Sequence, residues 1–203
     1  MAKSAVRRYR GEKSYRVNIG GVRREFPIVN VSPGLWIASN AEFILGDVPL
    51  VAKAAELLSR KLRRGRVEAV LTAEAKSIAL AYELSRRLGL ERFIVARKSL
   101  KAYVGEHLSQ KLSSVTTKGQ QELILSGDEI RYLSGKRTCL LDDVVSTGGT
   151  LDALEKLARE AGCIVACKAS IWKEGPWFDA GDLVFLDVLP VFVERGSPLA
   201  ALT

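Results

Sequence analysis

The chain has 203 residues, enough to bury a substantial core, and its 47% hydrophobic and 27% charged residues are ordinary for a globular protein. No apolar run approaches the ~20 residues of a membrane span, and the charged start from Met1 to Arg10 leads into no apolar stretch of a secretory signal. The formal net charge of +8 is unevenly placed: residues 1–24 hold eight basic groups against one acid, Glu12, so the remainder is close to neutral.

In chain order, residues 1–13 read as a basic, solvated tail. A nucleic-acid arm and an electropositive rim for an anionic substrate are the other meanings such a segment can have. Aromatics that could stack on bases are limited in residues 1–24 to Tyr9 and Tyr15. From Ser14 to Ile28, alternation through Tyr15, Val17 and Ile19, then Gly20-Gly21, then Val22 and Phe26, predicts a β-hairpin. Asp47 caps a helix whose apolar residues Val51, Ala54, Ala55, Leu58 and Leu62 recur at helical spacing until Gly65.

From Val67 the pattern turns to strand and helix in short repeats, which predicts a parallel sheet covered by helices. Val67–Thr72 is a strand, Ile78 to Leu88 a helix and Phe93–Arg97 a strand. Lys98 to Gln121 is rich in Ser, Thr and Lys without apolar periodicity, so a long loop or mobile hairpin is expected, in the manner of a lid. Its histidine, His107, is the only one in the chain and reads as exposed and non-catalytic. Thr138–Leu141 is a buried strand, Thr150–Ala161 a helix, Ile164–Ile171 a strand, and Leu183–Phe192 a last strand in a Gly/Pro-rich tail. Three cysteines (Cys139, Cys163, Cys167) at no metal-ligand spacing support neither a disulfide framework nor a zinc site. Cys139 and Cys163 read as buried, inert thiols, and a reducing cytoplasm fits.

The chemistry concentrates in Cys139-Leu140-Leu141-Asp142-Asp143-Val144-Val145-Ser146-Thr147-Gly148-Gly149-Thr150. An apolar strand delivers two adjacent carboxylates to its C-terminal end, where open α/β sheets place their ligands. The small-residue turn that follows opens a helix, so backbone N–H groups and hydroxyls can surround a phosphate at the positive helix end. Acids for two neighbouring ribose hydroxyls beside a phosphate cradle imply a sugar phosphate.

This stretch closely resembles the phosphoribosyl-diphosphate signature of type I phosphoribosyltransferases, and the resemblance extends over nearly the whole chain. It implies an α/β fold, a parallel sheet flanked by helices (core 46–171), with a small hood formed by N- and C-terminal segments (14–45 and 172–203). In that family the first strand–helix junction holds the diphosphate. Here the junction is Thr72-Ala73-Glu74-Ala75-Lys76-Ser77, with Lys76 at the basic position and Ser77 where the pattern has glycine. Arg97-Lys98 match a basic pair that contacts diphosphate in relatives. The resemblance therefore implies phosphoribosyl-diphosphate contacts from Ala75, Lys76, Ser77, Arg97, Lys98, Asp142, Asp143, Ser146, Thr147, Gly148, Gly149 and Thr150, with Asp142 and Asp143 catalytic.

Hypoxanthine–guanine members carry an acid at the place of Ser146, and serine points away from them. The hairpin Gly20 to Pro27 is similar to the base-binding hood of adenine-type members, while Ser113 to Gly127 is similar to the mobile loop of bacterial xanthine-type ones. The expected activity is a purine phosphoribosyltransferase, adenine first, with a xanthine/guanine-type enzyme as the alternative. Phe26 and Trp172 are the candidates to stack on the base, and Lys173 could donate to an exocyclic oxygen. Mg²⁺ is expected to be held mainly through substrate and water, with no protein ligand set of its own. The resemblance also implies a cytoplasmic homodimer. A transcriptional regulator that senses phosphoribosyl diphosphate is the competing class, but residues 1–13 are too short for a DNA-binding domain and no nucleic-acid partner is expected.

Overall fold

The computed structural model describes residues 4–39, 46–100, 105–112, 121–179 and 181–198. At the N-terminal end lie β1 (Val6–Arg8), β2 (Ser14–Ile19), β3 (Val22–Ser32) and β4 (Leu35–Ala38). The β2–β3 hairpin turns at Gly20 and Gly21, both left-handed (φ +56° and +95°), a backbone that costs glycine nothing because it lacks a Cβ. Asp47 begins α1 (Val48–Leu62): its Oδ1 accepts from the Leu50 N–H at 3.1 Å, and Leu50, Ala54, Ala55, Leu58 and Leu62 form the buried stripe. Arg24 of β3 grips the same carboxylate through two nitrogens at 2.6 and 2.9 Å, which ties the hairpin to the helix start.

The middle of the chain supplies β5 (Ala69–Ala73), α2 (Ile78–Leu88), β6 (Ile94–Ala96), β7 (His107–Leu112), β8 (Gln121–Ser126) and α3 (Gly127–Leu133). Then follow β9 (Arg137–Val145), α4 (Gly149–Glu160), β10 (Ile164–Glu174), β11 (Leu183–Leu189) and β12 (Val191–Val193). Strands β11-β10-β9-β5-β6 form one sheet in that order, every pair parallel. One face packs on α1 and α2, the other on α4, in two separate buried clusters. From β5 the chain steps outward to β6 and returns to β9 on the opposite side of β5. The carboxyl ends of β5 and β9 thus flank the point where strand order reverses, the crevice in which such sheets bind ligands.

A second sheet, β1-β12-β4-β3-β2, joins the two ends of the chain and stands as the expected hood. Its composition corrects the boundaries. Residues Val6–Arg8 pair in parallel with Val191–Val193, Val6 is 2% exposed, and Tyr9 stacks on Trp36 at 4.1 Å, so this part of the basic segment is strand rather than solvated tail. At the other end β10 runs to Glu174 and β11 belongs to the core sheet, leaving β12 as the C-terminal contribution to the hood sheet.

The region expected as loop or hairpin, Lys98 to Gln121, contains β7 and ends on the first residue of β8, with which β7 pairs antiparallel from His107↔Ser126 to Leu112↔Gln121. Its residues 101–104 and 113–120, with most of the segment similar to the xanthine-type loop, lie outside the described residues. The short helix α3 carries a capping box, with Ser126 and Glu129 satisfying each other's ends. Cys139 and Cys167, read from sequence as unpaired, occupy matched positions of β9 and β10 with Cα atoms 4.8 Å apart and are joined as a disulfide. Their 28-residue separation carried no sign of this, because only the strand register brings them together. Cys163 is half-buried, and burial pushes its thiol up.

Candidate active site

The carboxyl ends of β5, β9 and β10 build one polar cluster at the switch point. Strand β9 continues to Val145, past the expected end at Leu141, so Asp142 and Asp143 sit within the strand rather than after it. Asp143 is only 5% exposed. Ser77, at the cap of α2 and fully buried, directs its hydroxyl at both acids, with Oγ 3.2 Å from Asp142 Oδ1 and 3.4 Å from Asp143 Oδ1. The serine that replaces glycine in the family pattern therefore links the strand–helix junction to the acid pair. Asp142 Oδ1 also accepts from the Asp143 N–H at 2.9 Å. Burial, then the adjacent Asp143 carboxylate, push the Asp142 carboxyl well above the usual range.

Ser146, Thr147 and Gly148 form the turn into α4. Gly148 is left-handed (φ +89°), and a Cβ there would collide with the Phe178 ring packed on it. No side chain caps the first turn of α4, so its N–H groups are free of side-chain competition at the positive end of a 12-residue helix. Ser146 is half-buried and Thr147 exposed.

Lys76 is exposed at the β5–α2 junction, next to a cis peptide between Glu74 and Ala75. Lys98 is drawn to the same edge: its backbone N–H donates to Glu74 Oε2 at 3.0 Å, while the Glu74 N–H donates to the Ala96 carbonyl at 3.0 Å. Arg97 behaves differently. Its backbone exchanges two hydrogen bonds with Ile124 of β8, and it lines a cavity of about 470 Å³ with Glu106, Asp128, Glu129 and Arg131, whose lining includes none of the turn residues. The structure thus gathers Ala75, Lys76, Ser77, Lys98, Asp142, Asp143 and the 146–150 turn, and leaves Arg97 at another opening.

The base-stacking pair requires correction. Phe26 and Trp172 are both 0% exposed and pack edge to face at 5.3 Å, joining the hairpin to β10 in the core. Neither ring has a free face. Both follow from register: Phe26 lies on the inward side of β3, and β10 is longer than its apolar run suggested. Lys173 is half-buried and donates from Nζ to the Gly175 carbonyl at 2.9 Å. The exposed aromatic on this side is Trp177, 41% accessible.

Sequence reasoning missed Glu174. It ends β10, is 7% exposed, and by the Lys173↔Val145 register lies beside the turn that follows β9, with Lys76 and Asp143 close enough to act on its charge. Burial is the main reason its carboxyl is pushed up to about 7, with Asp143 adding to the shift and Ser146 and Lys76 opposing it. The available signal was an acid closing an apolar run just before Gly175-Pro176, which resembles an ordinary loop start.

Comparison with known proteins gives consistent matches. The family model for the phosphoribosyl transferase domain matches residues 45–179. An adenine phosphoribosyltransferase from a Methylobacterium species is 28% identical over 149 residues, 73% of this chain and 78% of that protein. A hypoxanthine/guanine phosphoribosyltransferase from Methanohalophilus mahii is 37% identical over 100 residues, so the chain spans about half of that relative, 48%, with 49% of its own length. The crystal structure of an adenine phosphoribosyltransferase from Thermoanaerobacter pseudethanolicus shares the fold, with a TM-score of 0.62 at 22% identity over 87% of this chain and 95% of that one.

Proposed function

Because the chain belongs to the phosphoribosyl transferase domain family, we propose that it is a purine phosphoribosyltransferase, joining a free base, adenine first, to 5-phosphoribosyl-1-diphosphate with release of diphosphate. The observation that carries this reading is the acid pair on β9 running directly into an uncapped, glycine-turned helix start at the switch point. Asp142 and Asp143 hold the two ribose hydroxyls. The turn from Ser146 to Thr150 holds the 5′-phosphate. Ala75, Lys76, Ser77 and Lys98 face the diphosphate, where a fixed cation stabilises charge on the departing oxygens.

Magnesium suits this donor set, because carboxylate, hydroxyl and phosphate oxygens are the ligands a hard cation takes. It is held mainly through substrate and water, beside Asp142 and Asp143, and when bound it neutralises the departing diphosphate. Adenine is supported over other purines by the greater share of both chains matched in the adenine-type relative. A xanthine/guanine-type site is the second reading, favoured by Lys173 as a donor to a 6-oxo group. We place the enzyme in purine salvage in the cytoplasm and as a homodimer. No helix among the described residues is long and apolar enough to cross a membrane.

The test is direct. Incubation with phosphoribosyl diphosphate, Mg²⁺ and each nucleobase in turn, with mass detection of the nucleotide, should give product with adenine foremost. No product with any base removes the enzyme reading, and light scattering checks the dimer.

A further inference from the structure

The phosphate turn has little of its own to hold it in shape. Ser146-Thr147-Gly148-Gly149-Thr150 contains two adjacent glycines, the residues that lose most backbone freedom on ordering, and no side chain caps the helix it opens. Gly148 nonetheless stands in the left-handed region (φ +89°), and its carbonyl accepts the first helical bond from the Asp152 N–H at 2.9 Å. The group that lies against it comes from elsewhere in the chain. The Phe178 ring covers Gly148 so closely that its Cδ2 and Cε2 atoms take the space a Cβ would need. Phe178 is half-buried and packs on the cluster that α4 forms with the sheet. It is delivered by a strap, residues 175–178, that leaves the end of β10 and is fixed at several points. The Gly175 N–H donates to the Leu189 carbonyl at 3.0 Å, and the Gly175 carbonyl accepts from Lys173 Nζ at 2.9 Å. A Cβ on Gly175 would stand 2.8 Å from Trp177 Cε3 and 3.1 Å from Val191 Cγ1, so the bend is closed over by Trp177 and touches the hood strand β12. Pro176 then fixes one more backbone angle. The strap thus runs from the hood sheet to the phosphate turn, and it ends with an aromatic face on the residue whose left-handed backbone the turn depends on.

We infer that Phe178 is a positioning residue of the phosphate turn: its ring, anchored by the strap, holds Gly148 in the left-handed form before the ligand arrives, so that the 5′-phosphate meets a formed cradle. This rests on the reading of the 146–150 turn as the phosphate site. Gly148 then has two reasons to lack a Cβ, since its bare Cα both opens the backbone to a phosphate and lets the ring pack on it. A turn ordered in advance spares the ligand the conformational entropy of fixing adjacent glycines. That gain is the same for bound substrate and for transition state, so it belongs to affinity for the phosphate ester and not to the chemical step.

The experiment compares the whole protein with Phe178→Ala, Phe178→Leu and Phe178→Tyr. Calorimetry measures binding of ribose 5-phosphate and, separately, of inorganic diphosphate, while melting curves and steady-state kinetics are recorded on the same samples. Phe178→Ala should weaken ribose 5-phosphate by about 5- to 30-fold, the ratio for leaving one residue's backbone to be fixed by the ligand. Diphosphate, assigned to the β5–α2 junction, should bind within about twofold of the unaltered protein. The KM for phosphoribosyl diphosphate should rise by the same factor as the ribose 5-phosphate dissociation constant, with kcat within about threefold. Phe178→Tyr, which keeps the ring, should restore the affinity, and Phe178→Leu, which keeps apolar volume without a flat face, should fall between and carries the test if Phe178→Ala does not fold. Unchanged ribose 5-phosphate affinity in the folded variant overturns the assignment. So does an equal loss of ribose 5-phosphate and diphosphate affinity, which would make Phe178 an ordinary core residue. If the unaltered protein binds diphosphate but not ribose 5-phosphate, the phosphate reading of the turn itself falls and takes this role with it.

Discussion

The phosphate side of the crevice and the base side are built in opposite ways. The first is one continuous segment, from Cys139 through the acids and the Gly148 turn into α4, so residues adjacent in sequence are adjacent in space. The second is assembled from strands at both ends of the chain, with β1 to β4 meeting β12 in one sheet and β10 ending beneath them. A local site can be recognised from a dozen letters. A site made by register can be recognised only when the strand pairing is known.

The largest effect should fall on the local side. Asp142→Asn together with Asp143→Asn removes two charge-assisted hydrogen bonds to ribose, each worth about 1.5–3 kcal/mol, so sugar-diphosphate affinity should drop by at least about a hundredfold. The fold should persist, because the double change also removes two crowded carboxyls, of which burial and the neighbouring Asp143 already hold the Asp142 group well above its usual range. Circular dichroism and calorimetry on the same sample check both halves. A folded double mutant with near-normal affinity would mean that β9 does not hold the ribose.

On the assembled side, Trp172→Ala tests whether this aromatic is core. With the ring fully buried against Phe26, truncation should cost about 3–5 kcal/mol of stability. Denaturant unfolding reads it. The adenine KM of the protein that remains folded should be little changed, and a large KM effect with intact stability would return Trp172 to the base site.

This contrast explains what was legible. The alternating β/α core, the capping Asp47, the glycine hairpin and the phosphate turn all announce themselves through local spacing and local turn chemistry. The disulfide between Cys139 and Cys167, the Ser77 link to the acids and the depth of Phe26 and Trp172 depend on which strands lie side by side. Glu174 went unseen for the same reason, since nothing near it in sequence shows that the end of β10 lies beside the turn after β9, 28 positions earlier. The pairing of Val6–Arg8 with the far end of the chain likewise has no local signature beyond one apolar residue among arginines.

Glu174 also sets a pH dependence that separates the two sides. Its folded carboxyl, pushed up to about 7 by burial first of all, binds a proton more tightly than in the unfolded chain. That contribution to stability is fully present below the ordinary carboxylate value and disappears as pH rises through about 7, a change of about 3 kcal/mol at most. Glu174→Gln has no proton to lose. The melting temperature of the variant should therefore gain on that of the unaltered protein between about pH 5 and about pH 8, and be the higher of the two at the upper end. Parallel curves across that range would mean that the carboxyl is not buried as described.

The smallest effect is expected at Lys173, where the identity of the base decides the outcome. Its ammonium is engaged by the Gly175 carbonyl at 2.9 Å, on the strand end that also carries Glu174. To serve a 6-oxopurine it would exchange that carbonyl for the exocyclic oxygen, a charged hydrogen bond worth about 1.5–3 kcal/mol. Adenine carries an amino group there, itself a donor, and offers an ammonium nothing to bond. Lys173→Ala should therefore leave kcat/KM with adenine within about threefold, while turnover of hypoxanthine or guanine, wherever measurable, should fall by about 10- to 150-fold. Steady-state assays with the two base classes on one variant decide between them. A large loss confined to the oxopurines would move the enzyme to the second reading. A large loss with adenine would show that Lys173 acts through the Gly175 carbonyl, holding the turn that leads to Phe178 against Gly148.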